Sequence, residues 1–336
     1  MLPAPVRGIV WSVTGHVRRT FGSGLLGLLC VALAGCAAAG SGQGARPSSA
    51  VVAEVLDLSG AREGAQSLES ALRRIVGALS GAGTFGDADV VRAVIEREIT
   101  AERLFASIES HVGREYDRER FDRLIDLLRQ PLVRRMTKLE IASTAVSPEN
   151  VKAWHAANGA TEEGRARLAL GRRIDAAVEA TTVTMEVLFA AGRGVVSALR
   201  VGLPPNRQLP PDFFRSDLAK LEPDTREETV ISLAFTYREA SLDELRRYAE
   251  LLETDLARWF SRMQRDAAVQ AAEALSERAM RRLIDLRRAP TVRAEPRPMY
   301  RFGVRTRVDI DARPRTNDRG ARCWPTCSSP SPCWVS

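Results

Sequence analysis

The sequence predicts an all-α protein, a helical bundle with a mostly irregular C-terminal tail. Apolar residues recur at three- and four-residue intervals from about residue 51 to residue 288, as in Val90, Val94 and Ile95. Helix start and stop signals divide this region into nine or ten segments. The chain has 336 residues and is 45% hydrophobic, which suffices for a buried core. This composition excludes a collagen-like, polytopic membrane or wholly disordered protein.

Residues 1–35 have the organisation of a secretory signal. Three arginines, Arg7, Arg18 and Arg19, precede an apolar run from Leu25 to Ala34 that is too short to span a bilayer. The run ends in Leu33-Ala34-Gly35-Cys36, which resembles the lipobox of bacterial lipoproteins. The resemblance implies cleavage between Gly35 and Cys36 and a diacylglyceryl (palmitate-type) lipid on Cys36. An ordinary signal peptide with a chance cysteine is the alternative.

The lipobox predicts a lipid-anchored protein of the bacterial cell envelope. Several acyl chains on Cys36 would hold a soluble domain stably at the membrane, its first predicted partner. Ala37 follows the cysteine where an inner-membrane retention signal would have aspartate. This favours the outer membrane, facing the periplasm. Residues 36–49 are rich in Gly, Ala and Ser and predict a flexible tether.

The predicted body has two helical lobes. Residues 50–200 form the first lobe, residues 201–212 form a Pro-rich linker, and residues 213–288 form the second lobe. Helix boundaries are predicted from capping residues and from proline and glycine, at Asp117, Pro131, Ser147, Gly159, Thr161 and Asp224.

An internal repeat relates the two lobes. A shift of 124 positions aligns Arg114–Leu139 with Arg238–Met263, with seven identical residues. Asp117 and Ser241 stand at equivalent helix starts, and apolar positions such as Phe121 and Leu245 match. The alternative is that two unrelated amphipathic helices align by chance when the register is chosen.

The second copy also resembles a known family. Ser241-Leu242-Asp243-Glu244-Leu245 is a capping box followed by an apolar face, and it is similar to the core motif of the uncharacterised bacterial envelope family called domain of unknown function 2059. The resemblance covers residues 233–279 and, more faintly, residues 111–145. It implies an exported helical domain and provides no activity or site residue.

The sequence contains no motif with a known catalytic mechanism. The metallopeptidase, phosphate-loop, dinucleotide and nucleophile-elbow motifs are absent, and residues 37–288 contain no cysteine. His111 and Glu115 share a helical face but provide two of the four ligands that a structural zinc site needs. The acid pairs Glu162/Glu163 and Glu227/Glu228 are interpreted as helix-start charges. We therefore expect no cofactor or metal, and a non-enzymatic role is favoured.

The two tryptophans of the body are interpreted as packing residues. Trp259 lies at helical spacing between Leu256 and Met263. Trp154, next to His155, is predicted to pack in the core or to lie half-exposed at a surface groove.

The tail, residues 289–336, is basic and predicted to be disordered. Residues 300–310 alternate as in a strand, which predicts either strand addition to a partner's sheet or chance alternation. Cys323, Cys327 and Cys333 could form one disulfide, and the altered composition also raises the alternative of an artefactual gene end.

The charge distribution argues against nucleic acid as a partner. The formal net charge of the chain is +7, but residues 37–288 contain 37 basic and 38 acidic side chains. The excess of positive charge lies in the signal and the tail, so phosphate binding by the body loses its electrostatic support.

The sequence therefore predicts a membrane-anchored envelope lipoprotein whose helical body is a binding or structural component, with an envelope protein as a possible partner. Two alternatives remain: an envelope hydrolase that uses carboxylates in a cleft between the lobes, and a carrier or chaperone for apolar cargo.

Overall fold

The computed structural model describes residues 48–80, 87–202 and 209–288. These ranges contain thirteen α-helices and no strand, which confirms the all-α fold class. The signal, the tail with residues 300–310 and its three cysteines, and most of the predicted tether lie outside the described residues. The helices are α1 (Ser48–Leu58), α2 (Ala61–Ser80), α3 (Ala88–Glu98), α4 (Ala101–Arg114), α5 (Arg118–Leu128), α6 (Pro131–Ser143), α7 (Pro148–Asn158), α8 (Glu162–Val178), α9 (Ala180–Gly202), α10 (Arg215–Ala219), α11 (Glu222–Thr236), α12 (Leu242–Leu252) and α13 (Asp255–Arg288).

Most predicted helix boundaries are confirmed by cap geometry. The Asp117 carboxylate accepts from the backbone N–H of Arg120 at 2.8 Å, and Thr161 Oγ1 accepts from that of Gly164 at 2.9 Å. Ser147, Ser241 and Gly159 are also caps, and Pro131 opens α6. The predicted start at Asp224 is wrong by two residues. Pro223 suits a first helical turn, so α11 begins at Glu222 and Asp224 lies inside that turn.

The helix α13 contributes residues to both core clusters of the fold. It has 34 residues, a length of about 50 Å at 1.5 Å per residue. Its first part, with Phe260 and Met263, belongs to a core cluster shared with α1, α4, α5, α6, α8, α11 and α12. Its second part, with Ala271 and Leu283, belongs to a cluster shared mainly with α2, α3 and α9. Both clusters therefore contain helices from both sides of residues 201–212, so the two predicted lobes share their cores.

The closest helix packing joins α9 to α13. Gly194 lies so near α13 that a Cβ atom at this position would be 2.3 Å from the carbonyl oxygen of Glu273. Arg193 also pairs with Glu273 at 2.6 Å, and Ser197 donates to Glu277 at 2.8 Å. From Ala180 to Val201, α9 is long and apolar enough to cross a membrane, but 67% of that stretch is buried in the fold. We assign it a packing role.

The predicted internal repeat coincides with the helix boundaries. A shift of 124 positions carries both ends of α5 onto both ends of α12, and the start of α6 onto the start of α13. The preceding N-caps, Asp117 and Ser241, are equivalent. Buried positions also match, including Phe121/Leu245, Leu124/Tyr248, Val133/Ala257 and Met136/Phe260.

The two copies pack reciprocally. The helix α5 contacts α13, and its counterpart α12 contacts α6, which is the counterpart of the start of α13. Individual residues follow the same exchange. Arg120 lies over the ring of Trp259, while the equivalent positions, Glu244 and Arg135, form an ion pair at 2.7 Å. This reciprocity is the contact pattern of a two-fold symmetric pair. The body thus contains two helical segments, α5 with α6 and α12 with the start of α13, whose helix ends, buried positions and mutual contacts correspond.

Candidate functional site

The site residues predicted from the sequence, Gly35 and Cys36, lie outside the described residues. The structure therefore leaves the predicted cleavage and lipidation as predictions. Within the helical body, the most site-like feature is a cleft between helices of the two predicted lobes; the sequence suggested a cleft between the lobes but did not identify the residues that line it.

This cleft, which we call the α8–α11 cleft, has a volume of about 490 Å³. It is lined by His155 of α7, by α8 from Leu168 to Glu179, by Thr181 and Thr182 at the start of α9, and by α11 from Pro223 to Ile231. Its volume lies in the range of small-molecule binding sites.

Part of the wall of the α8–α11 cleft is apolar. The lining residues Leu168 and Val230 belong to a small buried cluster with Ala234. Ile231, which also lines the cleft, and Trp154 pack against this cluster. The indole ring of Trp154 meets Phe235 edge-on, with ring centroids 5.9 Å apart. Trp154 is therefore a half-buried packing residue beside a groove, in agreement with the sequence-based interpretation.

The edge of the cleft contains the tight junction between α8 and α9. Glu179 connects the two helices in a left-handed conformation with φ 57°, which a non-glycine residue adopts at a cost of about 1 kcal/mol. Buried Asp175 fixes the junction, because its carboxylate accepts from the backbone N–H of Thr181 at 2.7 Å and from its hydroxyl at 2.9 Å. The Glu179 carboxylate pairs with Arg265 at 2.6 Å. The carboxylates of Asp175 and Glu179 therefore have structural roles at the edge of the cleft.

Two charged side chains of the cleft have no hydrogen-bond or ion-pair partner among the described residues. Arg172 on α8 and Glu227 on α11 are exposed and, among the described residues, form no hydrogen bond or ion pair. Arg226, by contrast, pairs with Glu222 one turn earlier at 2.8 Å. The cleft therefore offers one free guanidinium and one free carboxylate beside an apolar wall.

His155 adds a third polar group to the cleft. Its Nδ1 atom is buried and has no hydrogen-bond partner within the described structure. The ring packs so closely on Gly159 that a Cβ atom there would lie 2.6 Å from Nδ1. Gly159 is thus required for the close approach of the imidazole to the end of α7.

The two acid pairs, which the sequence predicted at helix starts, have different positions in the structure. Glu162 and Glu163 lie in the first turn of α8, as predicted. Glu227 and Glu228 do not start a helix, because α11 begins five residues before them, at Glu222. Partial burial raises the pKa of Glu228, and the neighbouring carboxylates Asp224 and Glu227 raise it further, whereas Lys152 lowers it.

His111 and Trp259 have packing roles in the structure. His111 is buried, and its Nδ1 atom hydrogen-bonds with Gln270 Oε1 on α13 at 3.1 Å. The described residues contain no group of three or more potential metal ligands. Trp259 meets Phe121 edge-on with centroids 5.8 Å apart. This agrees with the sequence-based interpretation of Trp259.

A second polar cluster, at the interface of the two repeats, was also missed. Glu140 is fully buried and accepts hydrogen bonds from the hydroxyls of Tyr237 and Tyr248, the latter at 2.9 Å. It borders an apolar cavity of about 40 Å³ whose other walls include Gln264, which follows the end of the second copy as Glu140 follows the end of the first. This volume suits about one or two water molecules.

No sequence pattern marks these residues. Arg172, Glu227 and His155 lie on three helices separated by 17 and 55 positions, and only packing brings them to one cleft. Comparison with family models, curated proteins and solved structures gives no match for the chain.

Proposed function

We propose that this protein is a lipid-anchored component of a bacterial cell envelope that binds a ligand or partner through its helical body. The observation that carries the proposal is the sequence Leu33-Ala34-Gly35-Cys36 at the end of a short apolar run behind three arginines. The lipid on Cys36 would confine the body to the membrane surface, with the outer membrane favoured by Ala37.

The position of the first described helix is compatible with this arrangement. Residues 37–47 separate the proposed lipidated cysteine from Ser48, where α1 begins. An extended chain of this length spans at most about 40 Å. The body would therefore stay within one protein diameter of the bilayer, where envelope proteins and envelope metabolites are its neighbours.

The chemistry of the α8–α11 cleft supports binding over hydrolysis. Hydrolysis by carboxylates needs two acidic groups with separate roles. Of the acidic residues that line this cleft, Asp175 is held by Thr181 and Glu179 is paired with Arg265, which leaves Glu227. One free carboxylate, one free guanidinium and an apolar wall are the groups of a recognition site.

A role as a carrier of apolar cargo receives less support. The apolar cavity beside Glu140 has a volume of about 40 Å³, whereas an acyl chain or similar cargo needs several hundred Å³. The larger α8–α11 cleft is lined by charged side chains as well as apolar ones. We therefore place binding of a polar or amphiphilic ligand ahead of apolar transport.

Membrane fractionation tests the proposed anchor. The full chain is expressed in a bacterium as the wild type, as Cys36→Ser and as the control Cys30→Ser, which changes the other cysteine of the signal region. The wild type and Cys30→Ser should incorporate a palmitate analogue and sediment with membranes, and Cys36→Ser should do neither. Labelling and membrane retention of Cys36→Ser would contradict the proposal.

A further inference from the structure

We propose that the α8–α11 cleft binds a short peptide with free termini, through the carboxylate and the ammonium group of the peptide together. This inference rests on the proposed binding function and names its ligand class. The argument uses the size of the cleft, its apolar wall and the two charges that the fold leaves uncommitted.

The cleft has the size of a site for a peptide of two or three amino-acid residues. A volume of about 490 Å³ accommodates such a molecule and excludes a folded protein. The apolar wall of Leu168, Val230 and Ile231 would contact an aliphatic side chain. Burial of that side chain would contribute favourable free energy in proportion to the apolar area covered.

Arg172 is the group that would bind the ligand carboxylate. A guanidinium donates two parallel hydrogen bonds to a carboxylate, and in this geometry the interaction is directional as well as electrostatic. The neighbouring Arg173 already makes such a bidentate contact, with Glu253 at 2.6 and 2.7 Å. Arg172 has no corresponding acidic partner among the described residues, so its donors are available.

Glu227 is the group that would bind the ligand ammonium. Its carboxylate lines the same cleft, on α11, and forms no ion pair within the described part of the chain. A ligand with both charges therefore satisfies Arg172 and Glu227 at once, which an anion or a cation alone cannot do.

The cleft walls are rigid enough to hold these groups in place. Asp175 and Thr181 lock the junction of α8 with α9 through two buried hydrogen bonds. Arg167, five residues before Arg172 on α8, is buried and donates to the carbonyl oxygen of Tyr237 at 2.9 Å, which ties α8 to the end of α11. A preorganised site loses less conformational entropy on binding.

Calorimetric titration of the purified full-length protein in detergent tests the inference. The probes are the dipeptides Ala-Ala, Leu-Ala and Val-Leu with free termini, together with their N-acetyl and C-amide derivatives. At least one free dipeptide should bind at millimolar concentration or below. Acetylation and amidation should each weaken its binding by roughly 10- to 100-fold, the effect of losing a charge-assisted hydrogen bond.

Variants of Arg172 and Glu227 test which charged group of the ligand each side chain binds. Arg172→Gln should weaken binding of the free dipeptide, and amidation of the ligand should then have no further effect. Glu227→Gln should also weaken binding, and acetylation of the ligand should then have no further effect. Arg123→Gln, an exposed arginine of α5 outside the cleft, should bind as the wild type does. Ala176→Phe, at the cleft wall, should block binding by filling the volume, while thermal unfolding checks that each variant is folded.

Absence of binding for all three free dipeptides would overturn the inference, as would unchanged binding by folded Arg172→Gln and Glu227→Gln. Failure of this inference and failure of the proposed anchor are distinguishable. A lipidated protein that binds no dipeptide overturns the ligand class alone, and a dipeptide-binding protein that lacks lipid overturns the anchor alone.

Discussion

The guanidinium of Arg120 lies over the indole ring of Trp259, 5.5 Å from its centroid. The equivalent positions of the repeat, Glu244 and Arg135, form an ion pair across the same interface in the opposite direction. The contact has changed from a cation–π to a charge–charge interaction, yet the paired positions are the same. This relationship shows that the two helical units face each other through corresponding surfaces.

The two equivalent caps should contribute similarly to stability. Asp117→Ala and Ser241→Ala each remove a side-chain acceptor from the first turn of α5 or α12. We expect each to lower the free energy of unfolding by about 1 kcal/mol. Urea denaturation measures this free energy, with Ser70→Ala in the exposed middle of α2 as a control that should stay within about 0.5 kcal/mol of the wild type. A cap variant as stable as the control would contradict the equivalence.

The approach of α9 to α13 should depend on Gly194. A Cβ in Gly194→Ala would lie 2.3 Å from the backbone oxygen of Glu273 and 2.8 Å from the backbone nitrogen of Glu277. Because neither backbone atom can rotate away, we expect a loss of about 1–3 kcal/mol in unfolding free energy. Gly77→Ala in α2 is the matched control: its Cβ meets nothing within 4 Å, and better helix propensity should stabilise it by up to about 1 kcal/mol. Equal effects of the two substitutions in thermal unfolding would refute this packing.

The buried hydroxyls around Glu140 should stabilise the interface of the repeats. Tyr248→Phe removes the hydrogen bond from the Tyr248 hydroxyl to the Glu140 carboxylate. Because Glu140 is fully buried and water cannot replace the lost donor, we expect a loss of about 1–3 kcal/mol. Tyr116→Phe, at a half-buried tyrosine that packs on Phe121, provides the control and should change stability by less than about 0.5 kcal/mol. Chemical denaturation distinguishes the two, and a silent Tyr248→Phe would be inconsistent with the bond.

Acid should weaken the contact between α3 and α4 through Glu98. Burial raises the pKa of Glu98, but hydrogen bonds from Arg103 and Arg97 outweigh that effect and hold the pKa below its usual value. A carboxyl whose pKa is lower in the folded state stabilises the fold above its unfolded pKa of about 4.3, and this contribution is lost as the pH falls through the folded value.

The variant Glu98→Gln measures this contribution. The wild type should be more stable than Glu98→Gln at pH 7, and the difference should shrink below about pH 4 as Glu98 becomes protonated. Unfolding free energies at a series of pH values provide the test. A difference that does not change with pH would show that the ion pairs with Arg97 and Arg103 contribute nothing.

Capping residues predicted where individual helices begin more accurately than the sequence predicted the number of helices. Asp117, Thr161 and Ser241 cap helices because short polar side chains satisfy free backbone N–H groups at any position along the chain. The count of nine or ten helices was wrong, since the described residues contain thirteen. Glu179 illustrates the reason: a left-handed glutamate separates α8 from α9 where no glycine or proline signals a break.

The correspondence of α5 with α12 could be predicted because caps and apolar positions match in the two segments, as at Phe121 and Leu245. The α8–α11 cleft could not, because its charged groups lie on different helices and only tertiary packing determines which arginine keeps a free guanidinium. Arg172 and Arg173 are neighbours in sequence, yet Arg173 pairs with Glu253 while Arg172 lines the cleft.

Mass spectrometry of the N-terminal peptide, from protein purified out of bacterial membranes, tests the central claim most directly. Our account predicts that the mature chain begins at Cys36 and that this residue carries the mass of a diacylglyceryl group with its acyl chains. A chain that begins at any other residue, or that begins at an unmodified Cys36, would contradict it.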